Sequence, residues 1–181
     1  MDKELIFTSN DNKNLVEGKL KFTFTKSCRA SKYDEWSFYK NQFQSVCDGS
    51  KAVDIICLND HIIWLIEVKD YRIHCRTKPI DIGDEIAVKV RDTLVGLVAA
   101  KINANAQDEK QFAIAALQDS KKICVVLHLE QPKNPSRLFP KVINPASVKT
   151  KLKQRLKAID AHPLIVDKNS LNNKHWTVEN Q

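Results

Sequence analysis

Three residues of this 181-residue chain combine types and spacing that could do chemistry: Asp54, Glu67 and Lys69. Asp54 interrupts Ala52-Val53-Asp54-Ile55-Ile56, a stretch otherwise suited to a buried strand. A carboxylate there costs several kcal/mol (roughly 2–7 for a polar group, more for a charge) unless it is paired, hydrogen-bonded or bound to a metal. Glu67 and Lys69 close the next apolar run as Glu-Val-Lys, and residues two apart on a strand share a face. Two hard carboxylates beside one lysine suit Mg²⁺ or Mn²⁺ chemistry on a phosphodiester. The ion would neutralise phosphate charge and lower the pKa of its bound water, with the lysine orienting that water or stabilising developing charge. The same three residues could instead form an internal salt bridge, Lys69 with Asp54 or with Glu67.

These residues need a hairpin to position them. Lys51–Leu58 and Ile62–Val68 are rich in β-branched and aromatic residues and are predicted strands, with Asn59-Asp60 as the turn. If those two residues alone form the loop, Leu58 faces His61 and Asp54 lies opposite Leu65, diagonal to Glu67 and on its face. A three-residue loop would reverse the parity and send Asp54 to the other side. The second strand is apolar on both faces as far as Ile66, which places it centrally in a sheet.

Around the hairpin, Lys19–Thr25 alternates Leu20, Phe22 and Phe24 with polar residues and reads as a half-buried strand. A helix is predicted from Ser31 to about Val46, ended by Asp48-Gly49-Ser50. After a loop from Arg76 to Gly83, the longest helix is predicted over Asp84 to about Ala104, with Ile86, Val90, Leu94, Leu97 and Val98 on one face. A shorter helix (about Asp108–Leu117) and a buried strand (Lys121–Leu129) follow. Asn144-Pro145 supplies an N-cap and first-turn proline for a helix to about Ile159. Leu164–Val166 and Trp176–Val178 are short final strands. The alternation predicts a single α/β domain over residues 1–181, with a mixed central sheet flanked by helices. Its core spans about 31–129, and a basic C-terminal extension spans about 131–181.

Val53-Asp54 followed by Ile66-Glu67-Val68-Lys69 resembles the D…ExK signature of the PD-(D/E)xK superfamily of restriction-endonuclease-like nucleases. The order helix, hairpin, helix, strand is similar to that superfamily's core, over roughly Ser31 to Leu129. The stretch Lys89-Val90-Arg91-Asp92-Thr93 is also similar to bacterial proteins of this type. The resemblance implies a Mg²⁺- or Mn²⁺-dependent nuclease acting on DNA, with Asp54 and Glu67 as metal ligands, the Val68 carbonyl as a further ligand and Lys69 serving the attacking water. It also implies an acidic ligand on the first helix, for which Glu35 is the candidate with Asp34 behind it. Valine stands before Asp54 in place of proline, and no clear strand separates the first helix from Asp54. The strand at Lys19–Thr25 is expected to fill that place. The alternative is a non-catalytic module of the same fold that binds nucleic acid or a protein partner.

Charge supports a polyanion partner. The net charge is +7, yet Gln131–Ile159 holds eight basic residues and no acidic one. Outside that segment 21 basic residues face 22 acidic ones, so the positive excess is local. Lys149, Lys151, Lys153, Arg155 and Lys157 are candidates to grip a nucleic-acid backbone, with Arg72, Arg76 and Lys78 beside the hairpin and Arg91 on the long helix. A solvated basic helix would give the same run. Specificity in so short a chain would come from a homodimer or a partner subunit. Five scattered cysteines without CxxC spacing predict neither a disulfide framework nor a zinc knuckle. No apolar run is long enough to cross a bilayer and the N-terminal residues lack the apolar core of a secretory signal, so the expected location is cytoplasmic.

Overall fold

The computed structural model describes residues 12–74, 76–132 and 143–181. Lys133, Arg137 and Lys141 of the basic segment, Cys75 and the N-terminal residues 1–11 lie outside the described residues.

A five-stranded mixed sheet organises the α/β fold. Its order is β3 (Arg29–Lys32), β4 (Ile55–Asn59), β5 (Ile62–Asp70), β6 (Lys122–Glu130) and β7 (Leu164–Val166). The β3–β4 and β4–β5 pairs are antiparallel, and the β5–β6 and β6–β7 pairs are parallel. A second antiparallel sheet has the order β1 (Lys13–Glu17), β2 (Leu20–Phe24) and β8 (Trp176–Asn180). β5 lies between β4 and β6, as its two apolar faces require.

Alternation along β5 feeds two cores. Trp64, Ile66 and Val68 pack with Leu20, Phe22, Phe24 and Trp176 of the small sheet. Ile63 and Leu65 face the opposite way, into a core shared with helices α1 (Ile82–Asn103), α2 (Gln107–Gln118) and α3 (Pro145–Leu156). Glu67 and Lys69 continue that second row, so both face the helical layer.

The predicted helix from Ser31 to Val46 is corrected. Arg29–Lys32 is instead the edge strand that pairs with β4, then Tyr33–Glu35 makes a 3-10 turn, and a π-helical turn spans Tyr39–Phe43. The break has a tertiary cause: the Glu109 carboxylate of α2 accepts the N–H of Ser37 at 2.6 Å and of Phe38 at 3.0 Å. Helical backbone therefore resumes there, after extended Trp36 (φ −58°, ψ 137°). The strand needed ahead of Asp54 is β3, while Lys19–Thr25, expected in that place, belongs to the small sheet.

Helix α1 starts at Ile82, two residues before its expected start. The Asp81 side chain accepts the N–H groups of Gly83 and Asp84, satisfying two orphan donors of the first turn. Ile86, Val90 and Leu97 are buried as the helical spacing predicts, whereas Val98 is exposed. Gly96 lets α1 approach the aromatic cluster: a Cβ there would strike the Tyr33 hydroxyl and lie 3.1 Å from the Phe43 ring. No helix among the described residues is long and apolar enough to cross a membrane.

Candidate functional site

The hairpin that positions Asp54 and Glu67 turns on Asp60-His61, not on Asn59-Asp60 as expected. Both residues have positive φ (47° and 61°), the backbone of a two-residue turn that matches strand twist. Asn59 stays in β4 because it is buried and its amide donates to the Ser27 carbonyl at 3.1 Å and hydroxyl at 2.9 Å. The loop keeps its even length, so the parity argument holds while the register shifts. Ile55 pairs with Ile66 and Asn59 with Ile62. Asp54, one residue before the strand, is thereby level with Glu67 instead of diagonal to it.

Asp54 Oδ2 accepts the backbone N–H of Val68 at 2.6 Å. Its Oδ1 lies 3.5 Å from the Lys89 ammonium. Glu67, 1% exposed, accepts two ammonium groups on Oε1: Lys89 at 2.5 Å and Lys69 at 2.7 Å. Its Oε2 is buried without a hydrogen-bond partner among the described residues. Lys69 also stands 3.7 Å from Glu85, and Glu85 is held by Arg76 at 2.6 Å and Lys78 at 2.7 Å. Glu85 and Lys89 are four apart on α1 and project from one face toward β5. Three carboxylates and four cations thus form one layer between β5 and α1.

The layer's electrostatics follow from its burial. Burial and the nearby Asp54 charge push the Glu67 carboxyl up to about 7, although both lysines oppose the shift. Burial works against the Lys69 and Lys89 ammoniums too, but the attraction of Glu67 outweighs it and both are raised above the ordinary lysine value. Glu85 goes the other way: burial would raise it, but Lys78, Arg76 and Lys69 hold it down at about 2. Asp34 is raised to about 6, first by burial and then by the Asp54 charge.

The remaining candidates fall in several places. Glu35 is exposed and pairs with Lys32 at 2.6 Å. Arg72 is tied to Asp70 at 2.5 Å and to the Asn180 side chain, while Arg76 and Lys78 turn inward to Glu85. Arg91 points outward and holds Asp92 at 2.8 Å. On α3, Lys151 and Arg155 reach Asp84 of α1 at 3.3 and 2.6 Å. Lys149, Lys153 and Lys157 are exposed and have no side-chain hydrogen bond or ion pair among the described residues.

Glu85 and Lys89 are the members of the layer that sequence reasoning missed. Their places one turn apart on α1, flanking the side that carries Ile86 and Val90, were the available signal. Among the described residues no three His, Cys, Asp or Glu side chains gather closely enough to share an ion. The orphaned Glu67 Oε2 is nonetheless an oxygen that a cation could take, while Asp54 Oδ1 already faces the Lys89 ammonium.

A search of curated proteins finds a cysteine–tRNA ligase of Neisseria meningitidis (serogroup A, serotype 4A), 37% identical over 157 residues. The match covers 70% of this chain but 22% of the relative, so the chain spans about a fifth of that protein's length. No family model matches the chain, and no solved structure matches it. The expected function, a Mg²⁺-dependent nuclease hydrolysing DNA, is corrected by this relative, which carries the name of a ligase and not of a hydrolase. The three-residue spacing that suggested hydrolysis is also the spacing of a buried ion-pair layer, and sequence distance alone does not separate the two.

Proposed function

We propose that this chain is a tRNA-ligase-related module that contacts tRNA and is built around a structural charge layer. The observation that carries the reading is its 37% identity, over most of its own length, to part of a cysteine–tRNA ligase. The local positive excess supports it, since backbone contact with RNA draws on clustered lysine and arginine. The layer of Asp54, Glu67, Lys69, Glu85 and Lys89 supports it as well: its charges are spent on one another between β5 and α1. In this reading the layer fixes the helical face against the sheet, and binding takes place on the outside.

The test is fluorescence anisotropy of a labelled tRNA transcript titrated with the chain, at several salt concentrations. Binding that weakens steeply with salt, and that exceeds binding to duplex DNA of equal phosphate count, is the expected result. No binding at tens of micromolar protein, or equal binding of the DNA, would sink the reading.

A second reading concerns the layer alone and is favoured by the orphaned Glu67 Oε2. We propose that Mg²⁺ or Mn²⁺ can be held there by Glu67 and Asp54. A rise in melting temperature with millimolar Mg²⁺ that Glu67→Gln abolishes would support it. An unchanged wild-type melting temperature would remove it.

A further inference from the structure

We propose that Lys149, Lys153 and Lys157 form a three-toothed comb that seats the phosphate backbone of tRNA; this rests on the tRNA-contacting function proposed above. The three residues are four apart in sequence, so they stand one above another on a single face of α3. At about 1.5 Å rise per residue, successive teeth lie about 6 Å apart along the axis. Lys157, at the C-cap, keeps helical backbone (φ −47°, ψ −38°), so the row continues through the helix end.

The structure divides the five basic residues of this helix into two sets. Lys151 and Arg155 lie on the other flank and are engaged by Asp84 of α1. They act as a clamp. Lys149, Lys153 and Lys157 have no side-chain partner among the described residues. Between the two flanks runs the buried row Val148, Leu152 and Leu156, which anchors α3 in the helical core. Gly83 adds to the fit: the Lys151 stem packs so closely over it that a Cβ would come within 2.7 Å of Lys151 Cγ.

A solvated helix would also carry lysines, and cations in the last turn favour the helix dipole. That explains Lys153 and Lys157. It does not bear on Lys149, the fifth residue of the helix, which lies beyond the first turn and before the last. No acidic residue occurs anywhere in α3 to balance it. A polyanion lying along the helix would engage all three teeth at once.

Asp84 then sets the strength of the site. Its carboxyl, held below the ordinary range by hydrogen bonds from Arg155 and Lys151, keeps two cations of the same helix away from the ligand.

The experiment compares tRNA binding by the wild type, the triple variant K149E/K153E/K157E, a charge-matched control K26E/K40E/K121E at exposed lysines elsewhere, and D84A. Circular dichroism and melting confirm that each is folded. The comb variant is expected to lose roughly tenfold or more in affinity near 100 mM salt, with a log K against log salt slope shallower by about two to three. The control should lose clearly less, and D84A should bind more tightly. Wild-type tRNA binding with equal losses in the comb and control variants would overturn the comb while leaving the proposed function standing. No wild-type binding would overturn both.

Discussion

The carboxylate of Asp54 accepts the backbone N–H of Val68 at 2.6 Å, joining the residue before β4 to the strand that carries Glu67 and Lys69. Asp54 is buried, so its removal leaves a buried donor without a partner. Asp54→Ala should therefore lower stability by about 1–3 kcal/mol, and Asp54→Asn by less, since its amide oxygen can still accept. Urea denaturation measures both. A loss below about 0.5 kcal/mol in the alanine variant, the range of ordinary surface changes, would mean that this bond carries no weight.

Lys89 and Lys69 share Glu67 Oε1, so taking one away leaves a buried carboxylate half-compensated. Lys89→Met should cost up to about 3 kcal/mol near pH 8. The cost should shrink toward pH 5, where Glu67, with its carboxyl raised to about 7, is mostly protonated. A cost independent of pH would contradict the pairing.

Glu67 itself sets a pH dependence of known sign. Its carboxyl lies at about 7 in the fold against an ordinary 4.5, so the folded state binds more protons between those values. Its contribution is greatest below pH 4.5 and declines as pH rises through 7. Glu85 has the opposite sign: held at about 2, it contributes stability above pH 4.5 that is lost as pH falls toward 2. Denaturation of wild type and Glu67→Gln at pH 5 and pH 8 should show the wild type losing more stability on going to pH 8. Parallel pH profiles would count against the raised carboxyl.

Gly96 and Tyr33 form a coupled pair. Gly96→Ala should destabilise by about 1–3 kcal/mol because its Cβ meets the Tyr33 hydroxyl. That hydroxyl is buried without a hydrogen bond among the described residues, so Tyr33→Phe alone should cost little and should relieve part of the alanine's penalty. A double-mutant cycle with zero interaction energy would refute the contact.

The sequence carried the fold where local pattern decides. The alternation in β2, the apolar runs of β5 and β6, the amphipathic spacing of α1 and the Asn144-Pro145 cap all led to the elements observed. The common face of Asp54 and Glu67 was legible because loop parity decides it. The exact register was not, since it depends on Asn59 bonding to Ser27, 32 positions away. Ser31–Val46 misled for the same kind of reason: its helical spacing is real, but a carboxylate 72 positions along the chain selects where helical backbone begins. Lys89 was hidden because a lysine beside an apolar stripe reads as solvent-bound until its partner strand is placed. Function was the least legible, because a D…ExK pattern in a strand pair describes a charge layer as well as a reaction centre.

The order β1-β2-β8 in the small sheet has a temporal meaning. Lys21 pairs with Glu179, 158 positions later, so the face formed by Leu20, Phe22 and Phe24 meets Trp176 only once almost all the described chain is present. Closing so long a loop is thermodynamically mild, about 0.6 kcal/mol per doubling of length. Kinetically it is late, because distant strand pairing waits on the rest of the chain. A ribosome making this protein would release β8 after every strand of the five-stranded sheet, so Leu20, Phe22 and Phe24 could pack on Trp64, Ile66 and Val68 before Trp176 joins them. Among the described strands, β8 is the last to be made and the one that closes the small sheet.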